Sequence, residues 1–297
     1  MNLLRDVSLD ALLAFAEFAE DGNFSRAALR LHLSQPALHA KITKLGGAIG
    51  RPLYVRRGRS IEITDTGRRV QRLARELAAS TQAFQDELQE KHAPPSVALA
   101  AGEGAYLYLL GAGIRAHLAQ RRHRLELITA DGVATVESIR NGRAQIGVAA
   151  LETIPRDLTA EPLTRVGQML AMPRRHPLAA RRSIRLKDLA DAALIVPPAG
   201  RPHRTMLAQL LQSAQVEWQV AVEASGWELM LHLVRLGMGL AVVNACCRIP
   251  TGLTTRPMPE LPAIQYHLIY RKEGLSGAAS ELRQNLAAHA DAWRQRA

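Results

Sequence analysis

Residues 24–45 read FSRAALRLHLSQPALHAKITKL, two short helical patterns joined by a tight turn. Ser25 is a candidate cap for the first, with Ala27, Ala28 and Leu31 as its inner face. After His32-Leu33, the run Ser34-Gln35-Pro36 opens the second helix. Ser34 is its candidate cap, and Pro36 falls in the first turn, where a missing N–H costs nothing. Ala37, Leu38, Ile42 and Leu45 then recur at helical spacing. Gly46-Gly47 follows, each glycine costing about 1 kcal/mol relative to Ala within a helix. This predicts a helix that ends a turn early or packs closely against a neighbour.

Outward from this core, Ser8 can cap an earlier helix carrying Leu9, Leu12, Leu13, Phe15 and Ala16, which stops near Asp21-Gly22. Downstream, LYVRRGRSIEI over 53–63 is two alternating runs around a basic glycine turn, the pattern of a β-hairpin. Residues 66–91 form one long helical pattern. Val70, Leu73, Leu77, Thr81, Phe84 and Leu88 line one face, which makes that helix a candidate dimerisation element. His92-Ala93-Pro94-Pro95 breaks it and marks a domain boundary.

Charge supports a nucleic-acid partner for this first part. The 297-residue chain has a net charge of +11, and residues 23–75 hold 12 basic and 2 acidic side chains, a net of +10. A concentrated basic block points to phosphate contact, whereas the +9 spread over residues 91–297 reads as solvated surface. A helix-turn-helix lays its second helix in the major groove with the N-terminal residues nearest the bases. Ser34, Gln35, Pro36 and His39 occupy that end, and Gln35 can make a bidentate contact with adenine. Ser25 and Ser34 stand at helix N-termini that face phosphates, Lys41 and Lys44 extend the basic face, and Arg56, Arg57 and Arg59 make a cationic hairpin tip. Taken singly, the serines also read as simple caps and the arginines as solubilising charge.

Beyond residue 95 the pattern alternates. Strands are predicted at 97–101, 125–129 and 145–150, with helices at 106–120 and 133–141 between them. A second βαβαβ unit follows: strands at 193–196, 218–223 and 239–243, helices at 205–215 and 227–236. A strand at 265–270 and a helix at 280–294 close the chain. Each unit predicts a parallel sheet covered by helices, hence two lobes around a cleft.

The stretch 12–69 resembles the N-terminal domain of LysR-type transcriptional regulators. The resemblance rests on Phe24-Ser25-x-Ala27-Ala28, Leu33-Ser34-Gln35-Pro36-Ala37-Leu38, Leu53-Tyr54-x-Arg56 and Ile63-Thr64-x-x-Gly67. The rest of the chain matches that family in architecture and length. The resemblance implies a winged helix-turn-helix (1–65), a long linker helix (66–91) and a two-lobed, periplasmic-binding-protein-like α/β effector domain (96–297). Lobe I would hold 96–165 with 265–297, and lobe II 166–264. It also implies double-stranded operator DNA and a small-molecule effector as partners, with RNA polymerase a further candidate, and a homodimer or homotetramer. Two departures stand out: His39-Ala40 replaces a small polar residue and Arg, and Gly46-Gly47 replaces an acidic pair. They bear on the preferred operator sequence.

In open parallel sheets, ligands bind beyond the carboxyl ends of the strands. That rule selects Gly102 and Glu103, Thr129 and Asp131, and Leu151 in the first lobe, then Arg201, His203, Ser225 and Asn244 in the second. Glu103 stands where family members commonly have Ser or Thr. Its carboxylate would repel an anion, while Arg201, His203 and Arg204 would attract one from the other side. An amino-acid-like effector fits both ends; equally, Glu103 reads as a stabiliser of a helix N-terminus with the arginines facing water.

Other classes fare poorly. HExxH, GxSxG, GxxxxGK[ST] and GxGxxG do not occur, the ten histidines form no ligand cluster, and no cofactor or metal is implied. The adjacent pair Cys246-Cys247 excludes a disulfide framework and reads as ordinary thiols rather than a redox switch. The longest apolar run, 97–114, is broken by Glu103, and the first ten residues lack a signal-peptide pattern. A cytoplasmic regulator is the expectation. The alternative is a cytoplasmic small-molecule-binding protein of solute-binding type with only nonspecific DNA affinity.

Overall fold

The computed structural model describes residues 7–58, 60–88, 96–275 and 277–296. Three helices open it: α1 (Leu9–Phe18), α2 (Phe24–Arg30) and α3 (Gln35–Ile49). Ser8 caps α1 by accepting from the Ala11 N–H, and Ser34 caps α3 by accepting from Ala37. The α2 cap is Asn23, whose side chain accepts from the Arg26 N–H. Ser25, predicted as that cap, instead lies within the first turn. The turn between α2 and α3 places His32 at φ 54°, left-handed backbone that reverses the chain in two residues.

Helix α3 runs through Gly46 and Gly47 and stops at Gly50, at φ 72°, whose N–H bonds back to Gly46 and Gly47. Neither expectation for the glycine pair holds. A Cβ on Gly47 would meet nothing within 4 Å and one on Gly46 only ordinary contacts at 3.8 Å and beyond. The C-terminal cap and the buried face of Leu38, Ile42 and Leu45 sustain the helix instead.

Strands β1 (Tyr54–Arg57) and β2 (Ser60–Ile63) form the hairpin wing, with Tyr54 opposite Ile63. Thr64 then donates its hydroxyl to Pro52 O at 2.7 Å and accepts from Gly67 N–H at 3.0 Å, which starts α4 (Asp65–Leu88). Gly67 lets the helix approach the wing; a Cβ there would lie 2.1 Å from Leu53 O. The predicted stripe on α4 divides. Val70 is buried with Gln71 and Ala74 in the helix-turn-helix core, while Leu73 and Leu77 are exposed. The side chains of Phe84 and Leu88, and residues 89–91, lie outside the described residues.

Lobe I contains a five-stranded sheet in the order β4-β3-β5-β12-β6. Its members are β3 (Ser96–Ala101), β4 (Arg124–Thr129), β5 (Ile146–Ala150), β6 (Leu158–Val166) and β12 (Ile264–Arg271). β4, β3 and β5 are parallel, but β12 runs antiparallel to β5 and β6. The expected parallel sheet is therefore mixed. β6 carries Pro162, tolerable because the strand lies at the sheet edge, where the register also slips beside it. The predicted helix 106–120 is split into a π-turn (Ala105–Leu109) and α5 (Gly111–Ala119). α6 (Gly132–Arg140) and α9 (Gly277–Ala288) complete the lobe; α9 stops before Arg294, which falls in a separate 3-10 turn.

Lobe II pairs β7 (Gln168–Pro173) antiparallel with β10 (Ala241–Asn244) and β11 (Leu253–Pro257). β8 (Ala192–Val196) lies parallel to β9 (Trp218–Glu223), and a parallel bridge from Leu194 to Leu240 joins the two sets. Helices α7 (Pro202–Ser213) and α8 (Trp227–Arg235) cover them.

Arg75 on α4 connects the DNA-side module to lobe I. It pairs with Glu20 beyond α1 and donates to Asn141 O at 2.7 Å and to Asn141 Oδ1 at 2.6 Å. Burial lowers its pKa to about 10, and Arg143, 3.8 Å from the same Glu20, adds repulsion. Gln71, one turn earlier on the same face of α4, donates to Ala16 O.

Candidate DNA-reading surface and effector cleft

The outward face of α3 presents Gln35, Pro36, His39, Ala40, Thr43 and Lys44, all exposed. Ser25 donates to Gln35 Oε1 at 3.1 Å, which fixes how the amide is aimed. His39 is held by its surroundings: Thr43 at 3.5 Å, the Tyr54 hydroxyl at 3.4 Å and the Phe24 ring at 5.1 Å between centroids. Phe24 in turn stacks on Phe18 at 4.1 Å, so this His rests on the aromatic core of the module.

The basic block is less uniform than its composition. Arg26 and Arg30 pair with Asp21, Arg30 also with Glu17, Arg57 with Glu62 at 3.0 Å, and Arg68 with Asp65. Lys41 is drawn to Asp10 on α1 and lies beside the outward face rather than on it. Among the described residues, Lys44, Arg51 and Arg56 are exposed and have no acidic partner. Arg59 lies outside the described residues. Thr43 and Arg51 escaped the sequence reading. Thr43 was signalled by its helical spacing from Pro36 and His39; Arg51 carried no motif signal.

Between the lobes, the predicted strand ends do converge in part. Asp131 caps α6 through the Ala134 N–H and also receives Arg201 Nη1 at 3.0 Å from the other lobe. The backbone N–H, then Arg201, hold its carboxyl below the usual range. Trp227, at the start of α8, lies so close to Gly104 that a Cβ there would sit 3.0 Å from its ring. A Cβ on Gly226 would sit 4.0 Å from the Glu103 carboxylate, and Tyr108 donates to Glu228 at 3.3 Å. The lobes are in contact along this rim.

Deeper in, Gln168 donates to Pro262 O at 2.8 Å, so its Oε1 accepts from His203 Nε2 at 3.0 Å. The other ring nitrogen, Nδ1, is a buried acceptor with no partner among the described residues. Desolvation lowers the His203 pKa to about 4, so the ring is neutral. Asn244, opposite Gln168 in the sheet, donates to the Tyr266 hydroxyl at 3.1 Å and leaves its buried Oδ1 unpartnered. Gly102 sits behind the Thr129–Asp131 turn; Thr129 is exposed and Leu151 half-buried at neighbouring strand ends, and Ser225 is exposed on the facing lobe. Arg204 is not at the cleft. Its guanidinium stacks over Trp218, 4.3 Å from the ring centroid.

Residues 9–68 match the bacterial regulatory helix-turn-helix protein family of lysR type, and residues 74–291 match the LysR substrate binding domain. The chain belongs to the LysR family. The RuBisCO operon transcriptional regulator of Allochromatium vinosum is 25% identical, over 94% of this chain and 95% of its own length. The HTH-type transcriptional regulator YeiE of Escherichia coli strain K12 is 26% identical, over 92% and 94%. Full-length OxyR from Pseudomonas aeruginosa shares the fold with a TM-score of 0.66 at 22% identity, covering 96% of this chain and 95% of that one. Full-length CbnR complexed with its target DNA does so with a TM-score of 0.60 at 21% identity, covering 96% and 100%.

As a LysR-family transcriptional regulator with an effector-binding domain, the chain has a helix-turn-helix with wing and a two-lobed α/β domain, as the sequence implied. Cys247 is buried and Cys246 half-buried, both as free thiols. Among the described residues, no group of three or more His, Cys, Asp or Glu is placed to hold a metal ion, and no helix is long and apolar enough to cross a membrane.

Proposed function

We propose that this regulator reads a specific operator through α3 and switches when a small effector closes or opens the cleft. One observation carries the DNA half: Gln35, Pro36, His39 and Thr43 share the outward face of α3, flanked by the unpaired cations Lys44, Arg51 and Arg56. Gln35, aimed by Ser25, reads a base edge; the cations bind phosphates. The exposed Leu73 and Leu77 of α4 serve pairing of two copies, which would set two recognition helices on adjacent half-sites, singly or as a dimer of dimers. Contact with RNA polymerase and a cytoplasmic location belong to the same reading, and the chain acts as a regulator rather than a catalyst.

For the effector, the cleft offers three acceptors, Glu103, His203 Nδ1 and Asn244 Oδ1, against one cation, Arg201. That set suits an amino-acid-like molecule whose ammonium meets the acceptors and whose carboxylate competes with Asp131 for Arg201. Gel-shift with the DNA upstream of the gene tests the first half: salt-resistant, specific retention is expected. Retention that is purely nonspecific and erased by salt would favour a small-molecule-binding protein instead. Titration with amino acids and plain dicarboxylates tests the second, and preference for the dicarboxylates would refute it.

A further inference from the structure

The Arg-rich segment 172–185 has no part in the cleft. β7, the central strand of its sheet, begins at Gln168 beside the cleft and ends at Pro173 at the opposite end of the strands. There the chain lines an open surface depression of about 510 Å³ with Arg174, Arg175, His176, Ala180, Thr254 and Arg256. Arg256 is fixed without being neutralised. It donates to Ala179 O and Arg181 O at 2.6 Å, to Thr255 O at 2.7 Å and to Thr254 Oγ1 at 3.1 Å, all uncharged acceptors. Arg174 is tethered in the same way, to Leu253 O at 3.3 Å. His176 Nδ1 accepts from the Leu178 N–H, so its Nε2 carries the proton and is a donor.

Of the acids on this side, Asp188 and Glu260 are already occupied, while Asp191 lies in the adjoining concavity that His176 and Asp188 also line. Asp188 pairs with Arg181 at 2.9 Å and accepts from the Arg185 N–H, and Glu260 accepts from the Leu186 N–H at 2.7 Å. Among the described residues, Arg174, Arg175 and Arg256 have no carboxylate partner. Three uncompensated guanidiniums around one concavity hold positive charge in place before any ligand arrives. Arg256, with all but one N–H committed to neutral acceptors, supplies fixed charge, and the exposed guanidiniums of Arg174 and Arg175 are the ones that can grip phosphate or carboxylate oxygens. The concavity is wide and open to solvent, so a small polyanion can reach its charge directly from the surface.

We propose that this pocket is a second ligand site, taking a small polyanion (a phosphate ester or a polycarboxylate) independently of the interlobe cleft. Calorimetric titration of the full-length protein at constant ionic strength, with inorganic pyrophosphate and with citrate, tests it. Saturable binding of either probe is expected, and which one binds tells phosphate ester from polycarboxylate. Arg174→Ala with Arg175→Ala, both exposed, should weaken it by about tenfold or more. Arg182→Ala with Arg185→Ala, on the adjoining loop outside the pocket, should change it by less than about twofold. No saturable binding of either probe up to about 10 mM overturns the proposal. So does equal weakening by the two double variants, which would mean general surface charge.

Discussion

Arg201 and Asp131 meet at 3.0 Å across the gap between the lobes, each standing at the N-terminal end of a helix in a different lobe. The contact is therefore made only while the lobes are together. Both side chains are about half exposed, at 53% each, so the bond contributes no more than about 1 kcal/mol.

Removing either partner has unequal effects. Arg201→Ala deletes the bridge alone and should lower stability by less than about 1 kcal/mol. Asp131→Ala also strips the α6 cap and should cost about 1 kcal/mol more. Denaturant titration of both variants, with the double variant closing the cycle, measures the difference; equal losses would assign all of the effect to the bridge and none to the cap.

The two parts of the DNA surface should fail differently. Gln35→Ala should change the preferred base sequence, and Ser25→Ala should do so more weakly by freeing the same amide. Arg56→Ala should weaken all sequences alike and reduce the salt slope by about 1. Arg57→Ala, already paired with Glu62, should do less. Fluorescence anisotropy against specific and scrambled duplexes over a salt series separates them.

Two glycines should respond in opposite directions. Gly47→Ala adds a methyl into open space in a helix and should stabilise by about 0.5–1 kcal/mol. Gly67→Ala forces a Cβ against the Leu53 carbonyl and Ile63, and the wing must separate from α4; a loss of about 3 kcal/mol or more follows. Melting temperatures of the two variants give both signs.

His203, half-buried with its ring Nδ1 shielded from water, makes stability depend on pH. With its folded pKa near 4 and an ordinary value of 6.5, the unfolded chain binds the extra proton first as pH falls. Stability from this residue is complete above about 6.5 and is lost progressively as pH falls towards 4. His203→Gln should flatten the denaturation midpoint over that window; an unchanged slope would assign the dependence to other groups.

The helix-turn-helix was legible because its signals are local: Ser34 and Pro36 mark a helix start, and Leu38, Ile42 and Leu45 fall on one face. The cap on α2 was misread because Asn23 and Ser25 both suit the role and only tertiary placement of Ser25 beside Gln35 decides. β6 was invisible to a pattern search since Pro162 and its charges are acceptable only at a sheet edge. The alternating pattern places strand ends, which is how Asp131, Arg201 and His203 can be named as facing one gap, but sheet order and pairing across the cleft are long-range: nothing near Arg204 in the chain says that it will stack on Trp218 instead.

The grip of Arg75 on Glu20 and Asn141 gives the molecule an asymmetric mechanics. The DNA-reading module and α4 are tied to lobe I through Asn141, Arg143 and Arg271, whereas lobe II joins lobe I across strand crossings beside Gly167 and residues 258–263. Lobe I is thus the frame and lobe II the jaw. A hinge motion of the jaw leaves the bearing of α3 on the frame unchanged, so within one copy it steers nothing; it changes only which surface the jaw offers to whatever stands beside it.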